Sequence, residues 1–133
     1  MKKPVILVVD DNPTNLKLVA DVLEFEGHTV MEAVDAEDAL ERIRQSMPDL
    51  ILMDIALPGM DGLTLTRRLK SDPATRRIHI VALTAFAMKG DDQKALVAGC
   101  DGYITKPIDT RRLPAQVAQI IQRMQEQSHT PNR

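Results

Sequence analysis

The sequence is poor in the residues that cross-link or stiffen small domains. It contains a single cysteine, Cys100, in 133 residues, so the chain cannot form an internal disulfide. We expect Cys100 to pack as a small apolar side chain in a reducing compartment. The sequence has no tryptophan, one tyrosine and two phenylalanines. The hydrophobic core must therefore be aliphatic.

Strong net charge and long apolar runs are also lacking. The formal net charge is −2, which provides no basic surface for direct nucleic-acid binding. The apolar run at residues 4–9 is too short for a membrane span or a signal peptide, and Asp10 and Asp11 follow it. We expect a cytoplasmic protein that binds neither nucleic acid nor a membrane.

Glycine-rich nucleotide-binding motifs are missing after the first apolar run. Neither GxGxxG nor GxxxxGK[ST] follows residues 5–9, which disfavours a Rossmann or P-loop site. The length of 133 residues, with 44% hydrophobic and 27% charged residues, is typical of one globular domain. We predict a domain at residues 1–126 and a disordered polar tail at residues 127–133.

Five short apolar runs alternate with five segments of helical periodicity. Strands are predicted at residues 5–9, 29–33, 50–54, 78–84 and 103–105, and helices are predicted to begin at Pro13, Asp35, Gly62, Gly90 and Arg111. Asn12 is a plausible helix cap, and the regular part of the last helix is expected from Pro114. This alternation predicts an α/β fold, a doubly wound sandwich of parallel strands joined by right-handed crossovers.

Polar residues stand at the ends of four predicted strands. Asp10 and Asp11 end the first strand, Asp54 the third, Thr84 the fourth and Lys106 the fifth. Because open α/β sheets build their sites at the carboxyl ends of the strands, we expect these side chains to converge at one edge.

This set of side chains suits a hard divalent cation and phosphoryl transfer. Mg²⁺, or Mn²⁺, prefers oxygen ligands, and Asp11 and Asp54 could bind it directly. Asp10 could act through a water molecule, and the backbone carbonyl of Ala56 could supply a third protein ligand.

Asp54 is the candidate nucleophile toward phosphorus. The Lys106 ammonium and the Thr84 hydroxyl could stabilise the phosphoryl oxygens.

Four motifs in the sequence resemble the receiver domain of two-component response regulators. They lie at residues 8–12, 52–62, 83–85 and 103–107, and the resemblance covers residues 5 to about 125. Residues 84–91 are also similar to single-domain, DivK-like regulators and to receivers attached to hybrid histidine kinases.

The resemblance implies a flavodoxin-like (βα)5 fold with strand order 2-1-3-4-5. It implies that Asp54 accepts a phosphoryl group from a histidine kinase or a histidine phosphotransfer protein, with Mg²⁺ bound, and that the domain later dephosphorylates itself. The Lys106–Pro107 peptide bond should be cis. The backbone of Ala85, next to Thr84, should leave donors for the phosphoryl group.

The resemblance also implies a conformational switch. Thr84 would move toward the phosphoryl group and Tyr103 would turn inward. The readout surface would comprise the fourth helix, the fifth strand and the fifth helix, which bind a downstream protein target. The domain would be a monomer or a phosphorylation-dependent homodimer.

Three alternatives stay open at this stage. A hydrolase of small phosphate esters would usually carry a second Asp two residues after the nucleophile, where this sequence has Ala56. A receiver that serves only as an interaction scaffold is disfavoured by the complete acidic set. Because the chain begins with Met1, we expect a stand-alone regulator rather than a receiver excised from a hybrid kinase.

Overall fold

The computed structural model describes residues 4–85 and 98–129. The described residues form strands β1 Val5–Val9, β2 Thr29–Ala33, β3 Leu50–Asp54, β4 His79–Ala85 and β5 Gly102–Lys106, and helices α1 Pro13–Phe25, α2 Ala36–Gln45, α3 Gly62–Ser71 and α4 Leu113–His129. The five strands are parallel and lie in the order β2-β1-β3-β4-β5. This arrangement confirms the predicted doubly wound α/β fold.

Helices cover both faces of the sheet. On one face α1 and α4 bury an aliphatic cluster that includes Leu16, Leu23, Leu113 and Val117. On the other face, a second cluster includes residues from α2 and α3 together with Cys100, which is buried as predicted. All five residues of β3 are buried, as expected for the central strand of a parallel sheet. None of the helices within the described ranges is long and apolar enough to cross a membrane.

The first helix begins where the sequence predicts it. The side-chain oxygen of Asn12 accepts hydrogen bonds from the backbone N–H groups of Thr14 and Asn15, and Pro13 is the first helical residue. These contacts satisfy donors that the start of a helix leaves free. Asp61 caps α3 in the same way, through the N–H of Thr64.

The last two strands differ from their predicted bounds, β4 by a shift of one residue and β5 by two added residues. β4 includes Ala85, which was expected in a loop, and β5 runs from Gly102 to Lys106 rather than over residues 103–105. Pairing between the strands explains this difference, because Val81 pairs with Gly102 and Ala85 with Lys106. The remainder of that predicted loop and most of the helix predicted from Gly90 lie outside the described residues.

Helix α4 corresponds to the fifth predicted helix and extends further than expected. A turn in which the N–H groups of Arg112 and Leu113 donate to the Asp109 carbonyl precedes it, so Pro114 falls in the first helical turn, where proline is tolerated. The helix continues through His129. Residues 127–129, which the sequence analysis placed in the polar tail, belong to this helix, and they include neither glycine nor proline, the residues least favourable to a helix.

An ion pair connects several elements at the amino edge of the sheet, opposite the strand ends that carry Asp10 and Asp54. Lys70 Nζ lies 2.9 Å from Asp101 Oδ2 and donates to the Ile78 carbonyl at 2.7 Å. The same Asp101 oxygen accepts the N–H of Ile80. The pair therefore joins the end of α3 to the beginnings of β4 and β5.

We expect Lys70→Met to lower the free energy of unfolding by about 1–3 kcal/mol, because it leaves the carboxylate of Asp101 without its cation in a partly buried position. The side chains of Lys70 and Asp101 are only 22% and 31% exposed. Arg44 and Glu41 form a matched control, with the same 2.9 Å separation but exposures of 72% and 55%. Arg44→Met should cost less than about 0.5 kcal/mol in the same urea titration. Equal costs for the two variants would contradict this prediction.

His79 should make the stability depend on pH. Burial lowers the pKa of His79 from its ordinary value of 6.5, although the nearby Asp101 carboxylate opposes that change. At pH values below 6.5, His79 binds a proton more readily in the unfolded chain than in the folded chain. The free energy of unfolding should therefore fall as the pH drops. The comparison is urea denaturation of wild type and His79→Gln at about pH 7.5 and about pH 5.5. The variant should lose less stability on acidification, and an identical loss would refute the assignment.

Candidate functional site

Three carboxylates meet at the carboxyl edge of the sheet. Asp10 and Asp11 follow β1, Asp54 ends β3, and one carboxylate oxygen from each lies within 4.8 Å of the others. Asp10 and Asp54 are only 2% and 3% exposed, whereas Asp11 is exposed. The predicted convergence of these three residues is confirmed. At an effective dielectric of about 20, two such charges about 5 Å apart repel by about 3 kcal/mol before screening.

Each carboxylate oxygen of Asp54 accepts a hydrogen bond. Its Oδ1 accepts the backbone N–H of Ala56 at 2.9 Å, and its Oδ2 lies 2.8 Å from Lys106 Nζ. The side chains of Asp54 and Lys106 are 4% and 24% exposed, so solvent screens this pair weakly. The Lys106 ammonium thus fixes the orientation of Asp54 and offsets part of the charge of the cluster.

Asp10 is held by the beginning of α1. Its Oδ1 accepts the backbone N–H of Asn12 at 2.9 Å, and Asn12 is also the residue that caps the helix. Burial raises the pKa of Asp10, the Asn12 hydrogen bond opposes this rise, and the charge of Asp54 adds to it. The Asp10 carboxylate is therefore costly to ionise without a neighbouring cation.

Thr84 and Lys106 reach this edge through the register of the strands. Asp54 pairs with Leu83 across β3 and β4, and Thr84 is the next residue of β4. Ala85 pairs with Lys106 across β4 and β5. Thr84 is buried, so its hydroxyl lies in the protein interior beside the strand end that carries Asp54.

Tyr103 lies on β5 opposite Ala82. Since side chains alternate between the faces of a sheet, Ala82 and Thr84 share a face, and Tyr103 projects to that same face. The side chain of Tyr103 is 46% exposed, so its ring is not packed into the core. The Lys106–Pro107 peptide bond is cis, as the resemblance implies.

Gly62 is a site residue that the sequence analysis missed. It is the first residue of α3, and a Cβ atom there would clash with the Asp54 carbonyl oxygen and lie 2.7 Å from Ile55 Cα. The available signal was a glycine at the beginning of a helix, where alanine is more favourable by about 1 kcal/mol. Periodicity and motif reading place that glycine at the beginning of the third helix and give it no role in the site.

Comparison with known proteins agrees with this geometry. Residues 6–118 match the response regulator receiver domain family. The polar-differentiation response regulator DivK of Brucella anthropi is 44% identical over 107 residues, which span 80% of this chain and 87% of that protein.

Two solved structures have the same fold. A putative response regulator from Chloroflexus aurantiacus superimposes with a TM-score of 0.84 and 33% identity, covering 90% of this chain and 98% of that one. The signal receiver domain of a histidine kinase from Syntrophus aciditrophicus gives a TM-score of 0.82 and 29% identity, with coverages of 97% and 95%. Since the family match spans all the strands that bring Asp10, Asp54 and Lys106 together, this chain belongs to the response regulator receiver domain family of two-component signalling.

Proposed function

We propose that Asp54 is the phosphoacceptor of this receiver domain, with a histidine kinase or a histidine phosphotransfer protein as the donor. The observation that carries the proposal is that its carboxylate is both buried and held in a fixed orientation. Asp54 is 3% exposed, yet it sits within a cluster of acidic groups and is oriented by the Ala56 N–H and the Lys106 ammonium. A nucleophile held in this way loses little entropy when it attacks.

The donor set fits Mg²⁺ or Mn²⁺. Three carboxylate oxygens within 4.8 Å of one another are hard ligands of the kind these ions prefer. We assign direct coordination to Asp11, Asp54 and the backbone carbonyl of Ala56, and coordination through water to Asp10. When bound, the cation supplies positive charge that offsets the carboxylates and polarises the incoming phosphoryl group.

In the transfer step, a carboxylate oxygen of Asp54 forms a bond to phosphorus. The phosphorus–nitrogen bond of the phosphohistidine breaks, and the histidine nitrogen keeps the electron pair. Lys106, the Thr84 hydroxyl and the backbone N–H of Ala85 are assigned to the phosphoryl oxygens, where charge-assisted hydrogen bonds are strongest. Water later attacks the same phosphorus, the bond between phosphorus and the Asp54 oxygen breaks, and inorganic phosphate leaves as the carboxylate is restored.

The phosphoryl group acts as a switch through its charge. It adds about −1.5 to −2 charges and strong acceptor oxygens, which draw the Thr84 hydroxyl inward. Tyr103 lies on the same face and is about half exposed, so its ring can move into the space that Thr84 leaves. The altered surface, which includes β5 and α4, then binds a downstream protein or a second copy of this chain.

A small-molecule phosphatase is the weaker assignment. Ala56 occupies the position two residues after Asp54 where such hydrolases carry a second Asp, and its side chain has no group that can protonate a leaving alcohol. A receiver domain of a histidine kinase has the same fold, so this fold suits both a stand-alone regulator and a domain of a hybrid kinase.

Phosphorylation should be directly measurable by intact mass. Wild type incubated with acetyl phosphate should gain one phosphoryl group only when Mg²⁺ is present, because transfer requires both the nucleophile and the offset of its charge. Asp54→Asn should gain none under the same conditions. Modification of the Asn variant, or of wild type after chelation of the metal, would contradict the assignment.

Mg²⁺ should raise the melting temperature of wild type, because it binds the folded state only. Asp11→Asn should melt higher than wild type without metal, since it removes one of three repelling charges and leaves the Asp54–Lys106 pair intact. The same variant should lose most of the Mg²⁺ effect. Asp21→Asn, an exposed carboxylate on α1, is the control and should keep the full effect. If Asp11→Asn melts lower than wild type without metal, the repulsion is not significant.

A further inference from the structure

The beginning of α3 is packed against the backbone that carries the Asp54 carboxylate. A Cβ atom on Gly62 would overlap the Asp54 carbonyl oxygen, approach Ile55 Cα to 2.7 Å and approach Met53 Cγ to 3.0 Å. Two of these three neighbours are backbone atoms, which cannot rotate out of the way as the end of a side chain can. The absence of a side chain at Gly62 is therefore what permits this contact.

The backbone at this contact is tied to the groups that orient Asp54. The N–H of Gly62 donates to the Ile55 carbonyl at 3.3 Å, and the N–H of Ile55 donates to the Leu83 carbonyl at 3.3 Å. One residue further on, the N–H of Ala56 holds Asp54 Oδ1. A displacement of the Asp54–Ile55 backbone would therefore move the nucleophile and the peptide group of Ala56 together.

Helix α3 cannot readily retreat to make room. Its first turn is capped by Asp61 through the N–H of Thr64 at 2.8 Å, and the buried Thr66 hydroxyl donates to the Gly62 carbonyl at 2.8 Å. Leu65 and Leu69, which follow on the inner face, are buried in the core. An added methyl group at Gly62 would thus displace the Asp54–Ile55 backbone rather than the helix.

We propose that Gly62 is a positioning residue for phosphoryl transfer, because its missing side chain sets the place of the Asp54 and Ala56 backbone and hence the geometry of the nucleophile and the metal ligands. This inference rests on the proposed function of Asp54. It extends the site to a residue that contacts neither phosphate nor metal.

The chain offers a matched control in a second glycine. A Cβ atom on Gly102, the first residue of β5, would meet only Val81 Cγ2 at 3.9 Å, which is an ordinary van der Waals contact. Gly102→Ala therefore makes the same chemical change without the backbone clash.

The test compares Gly62→Ala with Gly102→Ala in two measurements. The first is the rate of phosphorylation by acetyl phosphate with Mg²⁺, and the second is the Mg²⁺ affinity from amide chemical shifts of the unphosphorylated protein. Gly62→Ala should slow phosphorylation by about tenfold to a hundredfold, since a misplacement of about 1 Å can have that effect. It should also weaken Mg²⁺ binding, whereas Gly102→Ala should match wild type in both. Wild-type rate and affinity in a folded Gly62→Ala protein would overturn the proposal.

Two other outcomes each have their own measurement: a Gly62→Ala protein that does not fold, and a wild type that is not phosphorylated. If Gly62→Ala does not fold, Asp61→Ala, which removes the cap of α3, is compared with Asp61→Asn, which keeps a capping side chain and removes only the charge. Asp61→Ala should then be several-fold slower, and equal rates would overturn the proposal. If wild type itself is not phosphorylated, the proposed function fails, and the Mg²⁺ titration alone decides whether Gly62 positions the site.

Discussion

The arrangement of the site depends on one ion pair, between the buried Asp54 carboxylate and the Lys106 ammonium. These groups come from β3 and β5, which are separated in the sheet by β4, and they meet at 2.8 Å. Without Lys106, three carboxylates would crowd one edge of the sheet with little to offset their repulsion. With it, the cluster keeps a net negative charge, and the Asp54 carboxylate keeps a fixed orientation. The protein tolerates an unfavourable concentration of charge because hydrogen bonds hold the buried carboxylates of Asp10 and Asp54 in place.

Charged side chains lie at both ends of the strands, but they are paired differently at the two ends. At the carboxyl edge, three carboxylates lie close together, and the Lys106 ammonium offsets only part of their repulsion. At the amino edge, one carboxylate oxygen of Asp101 accepts hydrogen bonds from both the Lys70 ammonium and the N–H of Ile80. The second arrangement stabilises the strands on which the first depends, because it fixes the beginnings of β4 and β5. The Lys70–Asp101 ion pair and the acidic cluster thus lie at opposite ends of the strands.

Much of the fold and the cluster of Asp10, Asp11 and Asp54 was predictable from local patterns. Apolar runs marked the strands, Asn12 marked the beginning of α1, and the acidic residues at the strand ends marked the site, because each signal involves neighbours in sequence. The contact of Gly62 with the Asp54 backbone was not predictable in this way, since it depends on how the seven-residue connection between β3 and α3 returns to β3. The Lys70–Asp101 pair joins residues 31 positions apart, and the extra length of β5 comes from its partner β4. The helical residues 127–129 show that polar composition alone does not end a helix.

The aliphatic core has a consequence for how this protein can be observed. With no tryptophan and one tyrosine in the chain, near-ultraviolet absorption above the phenylalanine band comes from Tyr103 alone. That ring is 46% exposed and shares a face with Thr84, so a change in its burial would not be masked by other chromophores. The native chain therefore carries one tyrosine as an optical reporter, on the same face of the sheet as Thr84, and needs no added label.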